Sequence, residues 1–176
     1  MNVSIASWNI NSIRARETSL QKWLVEFKPD IFGLQETKVV DDQFPAEFFH
    51  KNGFDVRFFG QKSYNGVCLA FKRNSLIKCE QVVRNIPSWE DAQARVITCA
   101  LLINDLHRIN FISVYVPNGS SLDDPKFKYK LLFLQKLTDY VKKLLKENDS
   151  LCMMGDFNIA PTDLDVFDPD LWREKI

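Results

Sequence analysis

A chain of 176 residues is long enough to bury a sizeable core, and its 45% apolar content with 14 Phe excludes a disordered chain. The 23 basic and 23 acidic side chains cancel, which excludes a general polybasic nucleic-acid binder, whose affinity comes from neutralising phosphates. No basic-then-apolar leader opens the sequence, no apolar stretch approaches the ~20 residues of a membrane span, and Cys68, Cys79, Cys99 and Cys152 lack Cys-x-x-Cys spacing, so they read as buried free thiols of a cytoplasmic protein.

Val3 to Trp8 reads as a first strand, and Arg16 to Phe27 as a helix with Leu20, Trp23, Leu24 and Phe27 on one face. Pro29 stops that helix, and Ile31 to Leu34 forms a strand ending at Gln35-Glu36. A short helix, Ala46 to Lys51, ends near Asn52-Gly53. Strands follow from Phe54 to Phe59 and, after the turn dipeptide Asn65-Gly66, from Val67 to Lys72. Ala94 to Ile103 and Arg108 to Val116 read as a hairpin across Asn104-Asp105. Asp124-Pro125 supplies an N-cap and a first-turn proline for a long helix. Its expected apolar face is Phe127, Leu131, Leu134, Leu137, Val141 and Leu144, with lysines opposite. Leu151 to Met154 is the last strand. Helices and strands in this order give an α/β fold, a mixed sheet layer covered by helices.

Polar residues recur where these strands end: Asn9, Glu36, Tyr115 and Asp156. Folds of this class place their sites at converging strand ends. Gly155-Asp156-Phe157-Asn158-Ile159-Ala160-Pro161 sets an Asp and an Asn two residues apart, on one side of a strand end. An anionic oxygen beside an amide suits a Mg²⁺-and-phosphate site, although Gly-Asp after an apolar strand is also a common turn. Glu36 reads either as a solvated ion-pair partner or as a metal carboxylate. Asn9 and Asn11 read as turn residues or as amides that orient a carboxylate. Tyr115 and Asn118 are candidates for phosphate contact, whereas Gly119 belongs to a simple turn.

Ser7-Trp8-Asn9-Ile10-Asn11-Ser12-Ile13-Arg14 and Leu34-Gln35-Glu36-Thr37-Lys38 resemble the opening motifs of the exonuclease III family of abasic-site endonucleases. The same holds, in family order, for Gln61 to Val67, for Val114 to Gly119, and for Gly155 to Pro161 continuing through Asp163, Asp165 to Pro169 and Trp172. The resemblance implies Mg²⁺-dependent hydrolysis of DNA phosphodiesters, with Mn²⁺ as the alternative ion. It implies double-stranded DNA as partner, cut 5′ of abasic sites and trimmed at 3′ ends in base-excision repair. By the same resemblance Glu36 and Asn9 hold the metal, Asp156 activates water, Asn158 positions it, Tyr115 and Asn118 contact the scissile phosphate, and Asn11 lies on the phosphate side.

The family fold is a four-layer α/β sandwich of mixed sheets flanked by helices. Residues 1–176 are expected to form one such domain with its second half incomplete, lacking the family's C-terminal Asp and Asp-His pair. His50 and His107 occupy no family motif and read as surface residues. Two expectations follow from that incompleteness: impaired catalysis, and self-association through an apolar sheet face left without its covering second sheet. The competing readings are a non-catalytic remnant that binds metal or DNA or pairs with another chain, and a phosphatase acting on a lipid or inositol phosphate.

Overall fold

The structure, a computed structural model, describes residues 2–74, 76–147 and 150–172. Alternating and continuous apolar runs build two four-stranded sheets. The first holds β1 (Ile5–Asn9), β2 (Ile31–Gln35), β3 (Phe54–Phe59) and β4 (Val67–Lys72) in the order β1-β2-β4-β3. The second holds β5 (Ile77–Arg84), β6 (Val96–Ile103), β7 (His107–Tyr115) and β8 (Leu151–Asp156) in chain order. The pairs β1–β2 and β7–β8 are parallel and all others antiparallel. Helices α1 (Glu17–Phe27) and α2 (Ala46–Lys51) pack on the outer face of the first sheet, and α3 (Pro125–Glu147) on that of the second. A single turn, α4 (Pro169–Trp172), follows β8. No helix among the described residues is long and apolar enough to cross a membrane.

Three apolar layers follow. Leu20, Leu24 and Phe49 meet Phe32, Leu34 and Ala70 outside the first sheet. Ile31, Leu69 and Phe71 meet Ile97, Leu101 and Phe111 between the sheets. Phe133, Leu137 and Tyr140 meet Val96, Ile112 and Val114 outside the second. Gly33 allows the sheets to approach here, since a Cβ on it would lie 2.9 Å from Ser113 Oγ. Beside it the fully buried Gln35 donates to Ser113 Oγ at 3.0 Å and exchanges hydrogen bonds with Ser7. Gln35→Leu keeps the volume but strands the buried Ser113 hydroxyl. It is expected to cost about 1–3 kcal/mol, measured by urea unfolding, and an unchanged midpoint would refute it.

Several expectations are corrected. The second sheet is present, built by residues 77–156, so the face expected to drive self-association is covered. Strand β5 escaped the sequence reading because it is an edge strand: only Ile77 is buried, and Lys78, Glu80 and Gln81 break the alternation around a bulge. On α3, Leu134, Leu137, Val141 and Leu144 pack on the core as expected, but Leu131 is 51% exposed and Lys130, Phe133 and Tyr140 are buried in addition. The buried face takes in Lys130 because that amine reaches a backbone carbonyl beyond β8. Phe27 is exposed and only leans on Trp23. Among the cysteines, Cys68 and Cys99 are buried, but Cys79 and Cys152 are half-buried on the outer strands β5 and β8.

The start of β1 is tied down by Asp30. Its carboxylate accepts from Ser4 N and Ser4 Oγ, both at 2.8 Å, and pairs with Lys72 Nζ at 2.7 Å. Burial works against its charge, but the bonds from Lys72 and Ser4 outweigh this and hold the carboxyl below its ordinary value. A carboxyl lowered on folding stabilises above its unfolded pKa and loses that contribution as pH falls through the folded one. Asp30→Asn should therefore lower stability at neutral pH and flatten its decline below about pH 4. Urea midpoints measured across that range check it; parallel curves for the two proteins would refute it.

Candidate active site

Parallel pairing makes β1 and β2 end side by side, and β7 and β8 likewise, with Asn9 opposite Gln35 and Tyr115 opposite Asp156. Packing the sheets face to face then brings the four strand ends together. Asn9 is the joint: its Nδ2 donates to Glu36 Oε1 at 2.7 Å and to Asp156 Oδ2 at 2.8 Å. The Asn9 Oδ1 is occupied by the Asn11 N–H at 3.1 Å. Glu36 Oε2 lies 2.8 Å from Lys38 Nζ, which also donates to Asn11 Oδ1. The Tyr115 phenol lies near Glu36 and, after Asn9 and Lys38, favours its charged form.

The backbone here is under local strain. Asn11, Ser12, Glu36, Lys38 and Asn158 all have left-handed φ values, between 47° and 81°. Each costs roughly 1–2 kcal/mol for a non-glycine residue. Ser12 N donates to Glu36 O at 2.7 Å, and Thr37 N to Gly66 O at 3.1 Å, so neighbouring loops hold one another in these conformations. The effect is to turn the Glu36 carboxylate back over the strand ends.

Electrostatics fix the protonation states. Burial disfavours the Glu36 charge, yet hydrogen bonds from Asn9, Lys38 and Tyr115 outweigh it and hold the carboxyl below its ordinary value. Burial, then the Glu36 charge, pushes Tyr115 up to about 12. The site therefore presents a carboxylate and a protonated phenol throughout the physiological range.

Asp156 is oriented through both oxygens, since Oδ1 accepts from Asn158 N at 2.9 Å. The Asn158 side-chain amide donates to Val116 O at 2.8 Å. Asn118 stands apart: it is exposed and caps its own turn, with Oδ1 accepting from Ser120 N at 3.0 Å. Two side chains that the sequence did not single out also serve the site. Buried Lys130 donates to Asn158 O at 2.6 Å. Arg95 donates to Tyr115 O at 3.2 Å and lies 4.9 Å from the centre of the Tyr115 ring. A lysine within the apolar stripe of α3 was the available signal for Lys130; nothing local marked Arg95. Neither histidine joins the cluster. His50 lies near Glu47 and Asp55, and His107 opens β7 at the end opposite Tyr115.

Two carboxylates bridged by the Asn9 amide, one of them also paired with Lys38, suit a hard divalent cation, which takes one or two carboxylates and fills its shell with water and phosphate oxygens. Asn9 turns its nitrogen to the carboxylates, so here it spaces them rather than offering its oxygen to an ion. Among the described residues no group of three His, Cys, Asp or Glu side chains is arranged to hold a metal.

The molecule is thus an α/β sandwich with an acidic, amide-lined site at its converging strand ends. The chain belongs to the Endonuclease/Exonuclease/phosphatase family, whose model matches residues 6–174. It is 37% identical over 162 residues to exodeoxyribonuclease III of Haemophilus influenzae, matching 91% of this chain and 59% of that protein. Among solved structures, it is similar to a 3′ phosphatase from Neisseria bound to a product DNA hairpin, with TM-score 0.89 and 38% identity over 99% of this chain and 65% of that one. It is also similar to an AP endonuclease from Archaeoglobus fulgidus, with TM-score 0.85 and 35% identity over 99% and 64%. The chain therefore spans about three-fifths to two-thirds of the length of these relatives. They fall where the motif resemblance pointed, among exonuclease III-type enzymes and AP endonucleases.

Proposed function

We propose that this chain carries the metal-and-phosphate end of a DNA-repair phosphodiesterase that incises duplex DNA 5′ of abasic sites and removes groups from 3′ ends. The observation that carries this reading is the Asn9 amide bridging Glu36 on one sheet to Asp156 on the other. The names of the relatives supply the substrate class. Mg²⁺, with Mn²⁺ as the alternative, fits the donor set, and Glu36, now paired with Lys38, would be the principal residue to hold it. Bound there, the ion polarises a phosphoryl oxygen and stabilises the leaving oxygen.

The remaining steps belong to the chain itself. Asp156 takes a proton from the attacking water, its orientation fixed by Asn9 and the Asn158 N–H. Asn158 shapes the loop that presents Asp156, and Lys130 anchors that loop from α3. Tyr115, protonated, donates to the scissile phosphate. Asn118 and Asn11 are its outer contacts on the DNA side.

The test is Mg²⁺-dependent nicking of a duplex with a single abasic site, with Glu36→Ala as control. Nicking that disappears in Glu36→Ala supports the reading. Folded, soluble chain that binds the duplex without nicking it points instead to a non-catalytic binding module.

A further inference from the structure

Arg95 is a buried cation, 9% exposed, and among the described residues no carboxylate forms an ion pair with it. A charge in the interior is costly unless hydrogen bonds hold it. Its bonds go to neutral groups: Nε donates to Gln93 Oε1 at 3.0 Å and Nη1 to Tyr115 O at 3.2 Å. The guanidinium carbon lies 4.9 Å from the centre of the Tyr115 ring and 5.8 Å from that of Tyr129. Tyr115 N donates in turn to Arg95 O at 2.8 Å, one step beyond the Val96–Val114 pair of β6 and β7. Arg95 thus holds Tyr115 by its main chain and by the face of its ring.

What holds Arg95 comes from the other sheet. The motif Gln61 to Val67 contributes no side chain to the cluster around Asn9. Its Asn65 is 7% exposed, with a left-handed φ of 50°. The Asn65 Nδ2 donates to Gln61 Oε1 at 2.8 Å and to Gln93 Oε1 at 3.2 Å. Gln61 Oε1 also accepts from Ala94 N at 3.0 Å, and Gly66 N donates to Ala94 O at 2.9 Å. Gln93 Oε1 therefore receives Asn65 and Arg95 together. The same loop backs the Glu36 turn, through Thr37 N to Gly66 O at 3.1 Å and Lys38 N to Asn65 O at 2.9 Å. One loop braces both the carboxylate and the arginine stacked on the phenol.

We propose that Arg95 is a positioning residue that acts through Tyr115 and is itself held by Gln93 and Asn65. The inference rests on the reading of Tyr115 as the donor to the scissile phosphate. A donor must stand close to its place, since a displacement of about 1 Å at a reacting group costs on the order of 10²-fold. Tyr115 is the last residue of β7, so the strand fixes its backbone but not the rotation of its side chain. A planar, permanently charged guanidinium on the ring face removes that rotation. Lysine would keep the charge but has no fork to bond Gln93 and the Tyr115 carbonyl at once.

The experiment is single-turnover, Mg²⁺-dependent cleavage of an abasic duplex by the full chain, comparing Arg95→Met alone and in a Tyr115→Phe background. Arg95→Met is expected to slow cleavage by roughly ten- to hundred-fold while duplex affinity stays within about three-fold. With Tyr115→Phe present it should cost less than about two-fold, because effects carried by one group are not additive. Arg95→Lys should recover part of the rate, and Gln93→Leu should lose a smaller part. An unaltered rate in Arg95→Met, or an equal loss with and without the phenol, overturns the inference. So does a loss of duplex affinity that matches the loss of rate, which would make Arg95 a direct phosphate contact. If the unaltered chain does not nick, the hydrolase reading fails, and fluorine NMR of fluorotyrosine-labelled chain decides the inference. The Tyr115 line, identified by its loss in Tyr115→Phe, should shift and broaden in Arg95→Met, and an unmoved line overturns the inference. Should Arg95→Met not fold, Gln93→Leu carries both measurements with the same criteria.

Discussion

Asp156→Asn is expected to slow Mg²⁺-dependent cleavage of an abasic duplex by ~10²–10⁴-fold, the contribution of a positioned general base. The substitution is isosteric and costs one hydrogen bond rather than the fold: the amide oxygen can still accept from Asn9 Nδ2 or from Asn158 N, but the NH2 then faces the other donor. What it removes is the ability to take the proton of the attacking water. It also removes one of the two negative charges that the Asn9 amide holds together. Single-turnover cleavage with the chain in excess over DNA measures the chemical step directly, even where turnover is slow. Thermal unfolding should remain within a few degrees of the unaltered protein. A rate within three-fold of that protein would show that Asp156 acts as a spacer, and the base would have to be sought elsewhere in the site.

Gly155→Ala should be among the most destabilising single changes in the second sheet, by roughly 3 kcal/mol, the upper end of the usual cost of overpacking. Gly155 is the register partner of Val114 in the parallel β7–β8 pair. A Cβ there would lie 1.9 Å from the Val114 carbonyl oxygen and 2.8 Å from its carbon. Neither atom belongs to a flexible side chain, so relief requires the strands to separate where Asp156 follows. Stability and site geometry should fail together: a lower urea midpoint, and weaker protection of the Asp156 and Val116 amides in hydrogen exchange. Asp156→Asn, by contrast, should leave both measures in place. A Gly155→Ala protein with an unaltered midpoint would mean that β8 tolerates a side chain at this position and that the close approach is not required.

Much of the site was legible in the sequence because its residues follow apolar strands. Apolar runs such as Ile31 to Leu34 and Leu151 to Met154 fix where each strand lies, and the first polar residue after a strand end is carried to the rim of the sheet. That local logic placed Asn9, Glu36, Tyr115 and Asp156 at one edge, and the motif set placed them in a family. The same logic found β4 and α2 to the residue, since a turn dipeptide or a glycine bounds each.

Tertiary structure decided what depends on partners distant in sequence. The strands divide into two stacked sheets rather than one layer because β4 closes on β2 and β3 while β6 and β7 recruit β5 and β8, and no local pattern encodes that partition. β5 became visible only through its pairing with β6, since an edge strand needs little apolar surface. The direction of the Asn9 amide was set by two carboxylates on different sheets, which compete for its nitrogen and leave its oxygen to Asn11. Lys130 is buried in α3 because a carbonyl at Asn158 awaits its amine, and Arg95 meets Tyr115 only once β6 and β7 lie together. The sequence by itself determined the strands, the residues at their ends and the family, because those follow from short-range periodicity and chemistry. Which sheet each strand joins, and which atom of each polar side chain faces its neighbour, were decided by packing, because a hydrogen bond across two sheets exists only after both have formed.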